Sequence, residues 1–116
     1  MIIRLTTETR SFEATLNDSA AARDLVALLP LALETEDFRQ TERIAYPPRR
    51  LDTTGAPNAS DPKAGDLASY APWGNLALFY RDGRRSPNLV ILGHLTDRGD
   101  AQHLATADRV TLENLL

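Results

Sequence analysis

The stretch from residue 65 to residue 82, GDLASYAPWGNLALFYRD, holds four of the chain's seven aromatic residues, its only tryptophan, and a break made by Pro72 and Gly74. After the break the apolar residues alternate, with Leu76, Leu78 and Tyr80 on one side of an extended segment and Ala77 and Phe79 on the other. A period of two is that of a β-strand, whose successive side chains point to opposite faces. The strand residues therefore read as core, and Trp73 sits on a bend. An indole on a bend presents a flat apolar face and one N–H donor, so Trp73, with Tyr70 beside it, reads either as a plug at the end of a barrel or as one wall of a ligand groove.

The same reading extends outward in both directions. Ile3 and Leu5, then Phe12, Ala14 and Leu16, alternate on either side of the polar run Thr7-Glu8-Thr9-Arg10, which predicts an antiparallel hairpin. Asn17, Asp18 and Ser19 are candidate N-caps for a helix over residues 20–29, where Ala22, Leu25, Val26 and Leu29 recur at helical spacing until Pro30 ends it. Leu31, Leu33 and Phe38 suggest a strand, residues 39–42 a polar turn, and residues 43–46 a returning strand that Pro47-Pro48 terminates. Residues 52–65, DTTGAPNASDPKAG, have turn formers at nearly every position and predict a long surface loop without a ladder. A second loop, residues 82–88, precedes Leu89-Val90-Ile91-Leu92, which looks like a fully buried strand. Residues 100–106 suggest one or two helical turns, and residues 109–113 alternate as a closing strand. The total is one domain over residues 1–116, mainly β, with seven or eight short strands, one main helix and a second short helix. Such a set suits a closed antiparallel β-barrel, which removes exposed strand edges.

Composition narrows the partners. A chain of 116 residues suits a single core, and a net charge of -3 gives no general attraction for phosphate backbones or anionic lipids, so neither nucleic acid nor membrane is expected. The absence of cysteine excludes disulfides, thiolate metal sites and cysteine nucleophiles, and fits a reducing cytoplasm. The longest apolar run, residues 25–33, is interrupted by Pro30 and too short to span a bilayer, and MIIRLTTETR has no signal-peptide pattern. A soluble cytoplasmic protein is expected.

The opening hairpin, AARDLVALLPL at 21–31, GDLASYAPWGNLALFY at 65–80 and LVILGHL at 89–95 together resemble the small bacterial cyclophilin-like proteins of unassigned function. The likeness runs from Met1 to about Leu115. Its most specific parts are residues 61–80, with Asp-Pro, Gly-Asp and Pro-Trp-Gly-Asn in order, and Leu92-Gly93. The resemblance implies a barrel of about eight antiparallel strands capped by helices, and makes prolyl isomerisation the activity to check. In true cyclophilins an arginine weakens the amide's double-bond character while a pocket of phenylalanine, tryptophan and histidine holds the proline ring, which is preorganised binding of the twisted state. In their pattern a strand glycine follows the pocket histidine by four positions, and the tryptophan precedes that histidine by five. With the glycine set on Gly93, Leu89 stands at the histidine position and Arg84 at the tryptophan position. The segment that carries the catalytic arginine is replaced by IAYPPRRLDTTGAP at 44–57, where Arg49 or Arg50 can stand in.

The candidate binding residues are Tyr46, Arg49, Arg50, Trp73 and Tyr70. An aromatic beside two guanidinium groups can hold a carboxylate or phosphate through bidentate hydrogen bonds, although the same pair can equally lie solvated over apolar surface. Arg81, Arg84 and Arg85 form a second basic cluster, read as a source of solubility. His94, Asp97, Asp100 and His103 recur every third residue and invite a metal, but Gly93 and Gly99 prevent one regular helix from presenting all four. No metal or other cofactor is expected. No serine lies in a G-x-S-x-G setting, Lys63 lies in a loop, and Glu34 and Glu36 share a solvated strand face, so no catalytic residue is assigned. The expected function is a non-catalytic module binding a short peptide or small molecule, with a degenerate prolyl isomerase as the alternative. The chain is expected as a monomer or as a homodimer pairing through residues 52–65.

Overall fold

The computed structural model describes residues 1–115. Ile2–Thr6 (β1) and Ser11–Leu16 (β2) form the expected hairpin, with Ile3 opposite Ala14 and Leu5 opposite Phe12. Thr7 ties the turn, its Oγ1 accepting the Arg10 N–H at 3.2 Å. Because alternate residues share a face, Ile3, Leu5, Phe12, Ala14 and Leu16 are buried together while Arg4 and Glu13 stay in water.

The main helix, Ala20–Leu28 (α1), is capped by Ser19, whose Oγ accepts the Ala22 N–H at 3.1 Å. It stops ahead of Pro30, which has no N–H to continue the ladder. Its buried face, Ala21, Ala22 and Leu25, joins the main core, as do Ala101 and Leu104 of a 3₁₀ helix, Arg98–Leu104.

The remaining strands are Leu31–Glu34 (β3), Glu36–Phe38 (β4), Glu42–Ala45 (β5), Ala59–Ser60 (β6), Asp66–Tyr70 (β7), Asn75–Phe79 (β8), Ser86–Pro87 (β9), Leu89–Leu95 (β10) and Arg109–Asn114 (β11). Nine strands form one antiparallel sheet in the order β3-β11-β1-β2-β10-β7-β8-β5-β4. Its two ends, β3 and β4, are separated in the chain only by Thr35, so residues 31–38 pair with β11 through their first half and with β5 through their second. The sheet thereby returns on itself as a nearly closed barrel. Arg43 fastens the seam: its Nε donates to Thr35 Oγ1 at 3.0 Å, and its Nη2 to the Thr35 carbonyl and to Asp108 Oδ1, each at 3.2 Å.

The interior is filled by Leu67, Leu76, Leu78, Val90, Leu92 and Leu95 on one wall and by the β1, β2 and β11 side chains on the other. Between Ile91 and Gly93 the register of β10 against β7 shifts, a bulge in the wall. A Cβ on Gly93 would lie 2.2 Å from the Thr15 carbonyl oxygen and 2.7 Å from Leu16 Cα, so the backbone of β2 passes where a side chain would stand.

Two expectations need correction. Residues 52–65 are not wholly without a ladder: Ala59 pairs with Pro87 and Ser60 with Ser86, and the Asn88 N–H donates to the Asn58 carbonyl at 2.8 Å. A two-residue ladder is held by main-chain groups alone, so composition does not reveal it. It joins the two long loops to each other. The apolar run 89–92 is only the start of β10, which continues through His94 to Leu95. Among the described residues no helix is long and apolar enough to cross a membrane.

Candidate functional site

The strands β5, β7, β8 and β10 are apolar on their outer face as well. Ile44, Ala68, Ala77, Phe79 and Leu89 are buried in a second cluster separate from the barrel interior, with Phe38, Tyr70 and Ile91 packed against it. What covers this cluster is the loop after β8. That loop folds back so closely that a Cβ on Gly83 would lie 2.9 Å from the Phe79 ring and 2.8 Å from Pro62 Cγ. The cover is incomplete and leaves a cavity of about 560 Å³, with Phe38, Ile44, Tyr70, Trp73, Phe79 and Leu89 among its apolar lining and Arg39, Glu42, Asp82 and Arg84 among its polar lining.

The turn between β7 and β8 sets Trp73 at the rim. The N–H groups of Trp73 and Gly74 both donate to the Tyr70 carbonyl, at 3.1 and 3.0 Å, and Gly74 holds φ +67°, a conformation that favours glycine. The buried Asn75 side chain closes the turn, its Oδ1 accepting the Tyr70 N–H at 3.1 Å. The indole meets the rings of Phe38 and Tyr70 edge-on, each with centroids 5.3 Å apart, and remains 46% exposed. Trp73 is thus a wall of the outer cavity and not a plug in the barrel.

The turn between β4 and β5 supplies the opposite rim. Arg39 and Gln40 both hold φ +55°, and Asp37 Oδ2 accepts the Gln40 N–H at 2.9 Å. In a type I′ geometry of this kind both central residues lie in the left-handed region. The Arg39 guanidinium comes to 4.9 Å from the centre of the Phe38 ring. Asp37 also accepts a short hydrogen bond from the Tyr80 hydroxyl, which, ahead of the Gln40 contact, holds its carboxyl below the usual range.

Glu42 is the carboxylate among the strand residues that line the cavity. It stands opposite Phe38 on β4 and Phe79 on β8, two residues from Ile44 and on the same face. The residue is half-buried, and no described residue donates a hydrogen bond to its carboxyl. Burial pushes that carboxyl up to about 7, while the charge of Arg39 draws it down and that of Asp37 raises it further.

The structure separates the five residues singled out from the sequence. Trp73 and Tyr70 line the cavity; Tyr46, Arg49 and Arg50 are not among its lining residues. Tyr46 is 53% exposed. Arg49 makes a two-pronged ion pair with Asp24 of α1, both contacts at 2.7 Å, and Asp24 also accepts the Asp52 N–H at 2.7 Å. Arg49 first, and the Asp52 contact after it, lower the Asp24 carboxyl to about 2. Arg50 turns the other way: its Nη1 donates to the Ala71 and Pro72 carbonyls at 2.6 and 3.1 Å, and its stem lies under Gly74. The adjacent guanidinium groups therefore diverge, one to the helix and one to the back of the Trp73 turn, and form no joint anion site.

Sequence reasoning missed Glu42, Phe38, Arg39 and Arg84. A signal existed for Glu42, since a residue two places from the apolar Ile44 on a strand shares its face. Its neighbours in the polar run 39–42 hid it in a turn. Of the four residues whose spacing drew attention as a metal pattern, His94 Nδ1 lies 2.8 Å from the Leu95 carbonyl oxygen and His103 stacks on Phe12 with centroids 6.4 Å apart. Among the described residues no three metal-ligating side chains come together. Leu89 and Arg84, set by sequence against the isomerase histidine and tryptophan, both line the cavity.

A nearly closed antiparallel barrel, with two helices packed into its core and a cavity on the outside of its wall, defines the class: a cyclophilin-type β-barrel. The model of the cyclophilin-like family matches residues 5–113, and the chain belongs to that family. Among solved structures, a hypothetical protein of Archaeoglobus fulgidus determined in solution is similar to it, with a TM-score of 0.67 and 20% identity, covering 99% of this chain and 95% of that one. At that identity the likeness speaks for the fold alone. No curated protein matches the chain.

Proposed function

We propose that the protein is a non-catalytic binding module that takes a short peptide or small molecule in the outer cavity, against Trp73, Tyr70, Phe38 and Phe79. The observation that carries this reading is an aromatic-walled hollow of about 560 Å³ in which Arg84 and Leu89 occupy the positions where the resemblance to isomerases would put tryptophan and histidine. That volume is within the range of small-ligand pockets, and an apolar lining with a few polar groups is their usual make-up. The hollow keeps a surface for an apolar group, but no imidazole lines it, and its indole, Trp73, comes from the turn between β7 and β8 and not from the position the resemblance assigns to tryptophan. Arg49 and Arg50, the stand-ins for a catalytic arginine, already donate to Asp24 and to main-chain carbonyls. Fold likeness without the site is weak warrant for the isomerase chemistry.

Trp73 is the only tryptophan, so its indole N–H gives one assignable NMR signal at the cavity. Titration with a proline-containing tetrapeptide and with a phenylalanine dipeptide amide is expected to shift that signal and those of Phe38 and Phe79. Trp73→Ala is expected to weaken the Phe38 and Phe79 responses about tenfold through loss of an aromatic wall, while costing under about 1 kcal/mol of stability because the ring is half exposed. A protease-coupled proline isomerisation assay is expected to give no rate above background. A rate that disappears in Arg84→Ala would replace this reading with the degenerate isomerase.

A further inference from the structure

We infer that the outer cavity recognises a ligand carrying an ammonium group on an alkyl stem, with Glu42 as its counter-charge and the rings of Trp73, Phe38 and Tyr70 around the stem. The inference rests on the reading of this cavity as a binding site and adds the chemistry of what enters it.

Glu42 differs from the other acids near the cavity. Asp37 accepts from the Tyr80 hydroxyl and the Gln40 N–H, and Asp82 Oδ1 accepts the Ala64 N–H at 2.8 Å. Glu42 has neither a hydrogen-bond donor nor an ion-pair partner among the described residues, although it stands between two phenylalanines. The nearby cations do not fill that role: Arg39 lies over the Phe38 ring, and Arg84 belongs to the loop that covers the cavity from the other side. The wall therefore holds one half-buried carboxyl that Arg39 influences only through its charge, in a cavity lined by aromatic rings, which themselves attract cations. A ligand ammonium supplies what is missing, and the apolar lining accommodates its stem. An anionic ligand at the same place would meet Glu42 head-on.

Burial holds the Glu42 carboxyl at about 7, so cation binding draws it to the ionised form and releases a proton near neutrality. Binding must then strengthen as pH rises from 6 to 8. The charged groups that act on Glu42 are Asp37 on β4 and Arg39 on the turn after it, and Asp82 and Arg84 of the covering loop line the same cavity. No histidine lines the cavity. Had the neutral carboxyl instead donated to a ligand carbonyl, the dependence would have the opposite sign.

The test uses N-acetyl-lysine methylamide, its norleucine counterpart, which lacks only the ammonium, and n-butylamine, titrated at pH 6 and pH 8 into wild type and Glu42→Gln with the Trp73 indole signal as readout. At pH 8 the lysine probe is expected to bind about tenfold tighter than the norleucine probe, the size of one charge-assisted hydrogen bond. For a group titrating near 7 the ionised fraction falls about tenfold between pH 8 and pH 6, so most of that advantage is lost at pH 6. It is absent at both pH values in Glu42→Gln, which is expected to melt no lower than wild type. Butylamine binding as tightly as the lysine probe points to a free amine, and weaker binding to a lysine-bearing peptide; both keep the inference. Equal binding of the lysine and norleucine probes at pH 8, tighter lysine binding at pH 6, or an unchanged preference in Glu42→Gln overturns it and leaves the cavity as a site for apolar ligands. No response to any probe overturns the cavity reading as well.

Discussion

The inner and outer faces of the wall made by β5, β7, β8 and β10 are both apolar, yet they finish differently. On the inner face Leu67, Leu76, Leu78, Val90 and Leu92 share one buried cluster with Ala22 and Leu25 of α1 and Leu104 of the 3₁₀ helix, so that helices cover this side. On the outer face Ile44, Ala68, Ala77, Phe79 and Leu89 are as deeply buried, but a loop containing Asp82, Gly83 and Arg84 covers them and leaves space. A helix lays down a continuous apolar stripe, whereas a loop brings main chain and charge. Burial of individual residues therefore does not distinguish a core from a site. What distinguishes them is the element laid over them.

The largest expected effect tests the tightness of the inner side. Gly93→Ala forces a methyl group against the main chain of β2, which cannot turn away as a side chain can, and is expected to cost more than about 3 kcal/mol in urea denaturation. A loss under about 1 kcal/mol would mean that the wall yields at its bulge and that its two sides are equally soft.

Adjacent residues on opposite faces sharpen the contrast. Leu78→Ala opens a hole in a closed interior and is expected to cost about 3 kcal/mol, whereas Phe79→Ala enlarges an existing cavity and is expected to cost about 2 kcal/mol, below the usual range for buried phenylalanine. Equal losses per atom removed would erase the distinction.

The smallest effect concerns pH. The folded-state carboxyl of Glu42 sits at about 7 against an ordinary 4.5, so the folded state holds its proton more tightly than the unfolded chain. Its contribution is full below about 4.5 and lost as pH rises through 7, on the order of 1 kcal/mol once the partial exposure of the group is allowed for. Glu42→Gln is expected to flatten this slope in melting curves between pH 5 and pH 8. Asp24, away from the cavity, works in the opposite direction: its carboxyl is lowered to about 2 from an ordinary 3.8, so its stabilisation is present above 3.8 and lost as pH falls through 2. Asp24→Asn is expected to remove that acid-side loss and leave the neutral slope untouched.

Much of the barrel was legible because its signals are local. The hairpin around Thr7, the Ser19 cap, the end of the helix before Pro30 and the turn at Trp73 each depend on residues within a few positions of one another. The ladder between residues 59–60 and 86–87 was not legible, since its partners are far apart in the chain and carry no apolar pattern. The candidate site was half legible. Trp73 and Tyr70 advertised themselves by composition, but Glu42 and Arg84 looked like ordinary polar turn and loop residues.

By itself the sequence determined most strands of the main sheet and the main helix, because alternation, caps and breakers act over one or two turns of chain, and its motifs carried the resemblance to the barrel family. Only the tertiary structure decided which face of the wall stays open, that Arg49 and Arg50 part company toward Asp24 and the Ala71 carbonyl, and that Glu42 stands unpaired beside the rings. The physical reason is one of range: a side chain's face follows from its own strand, but whether water, a helix or a ligand meets that face depends on segments tens of residues away.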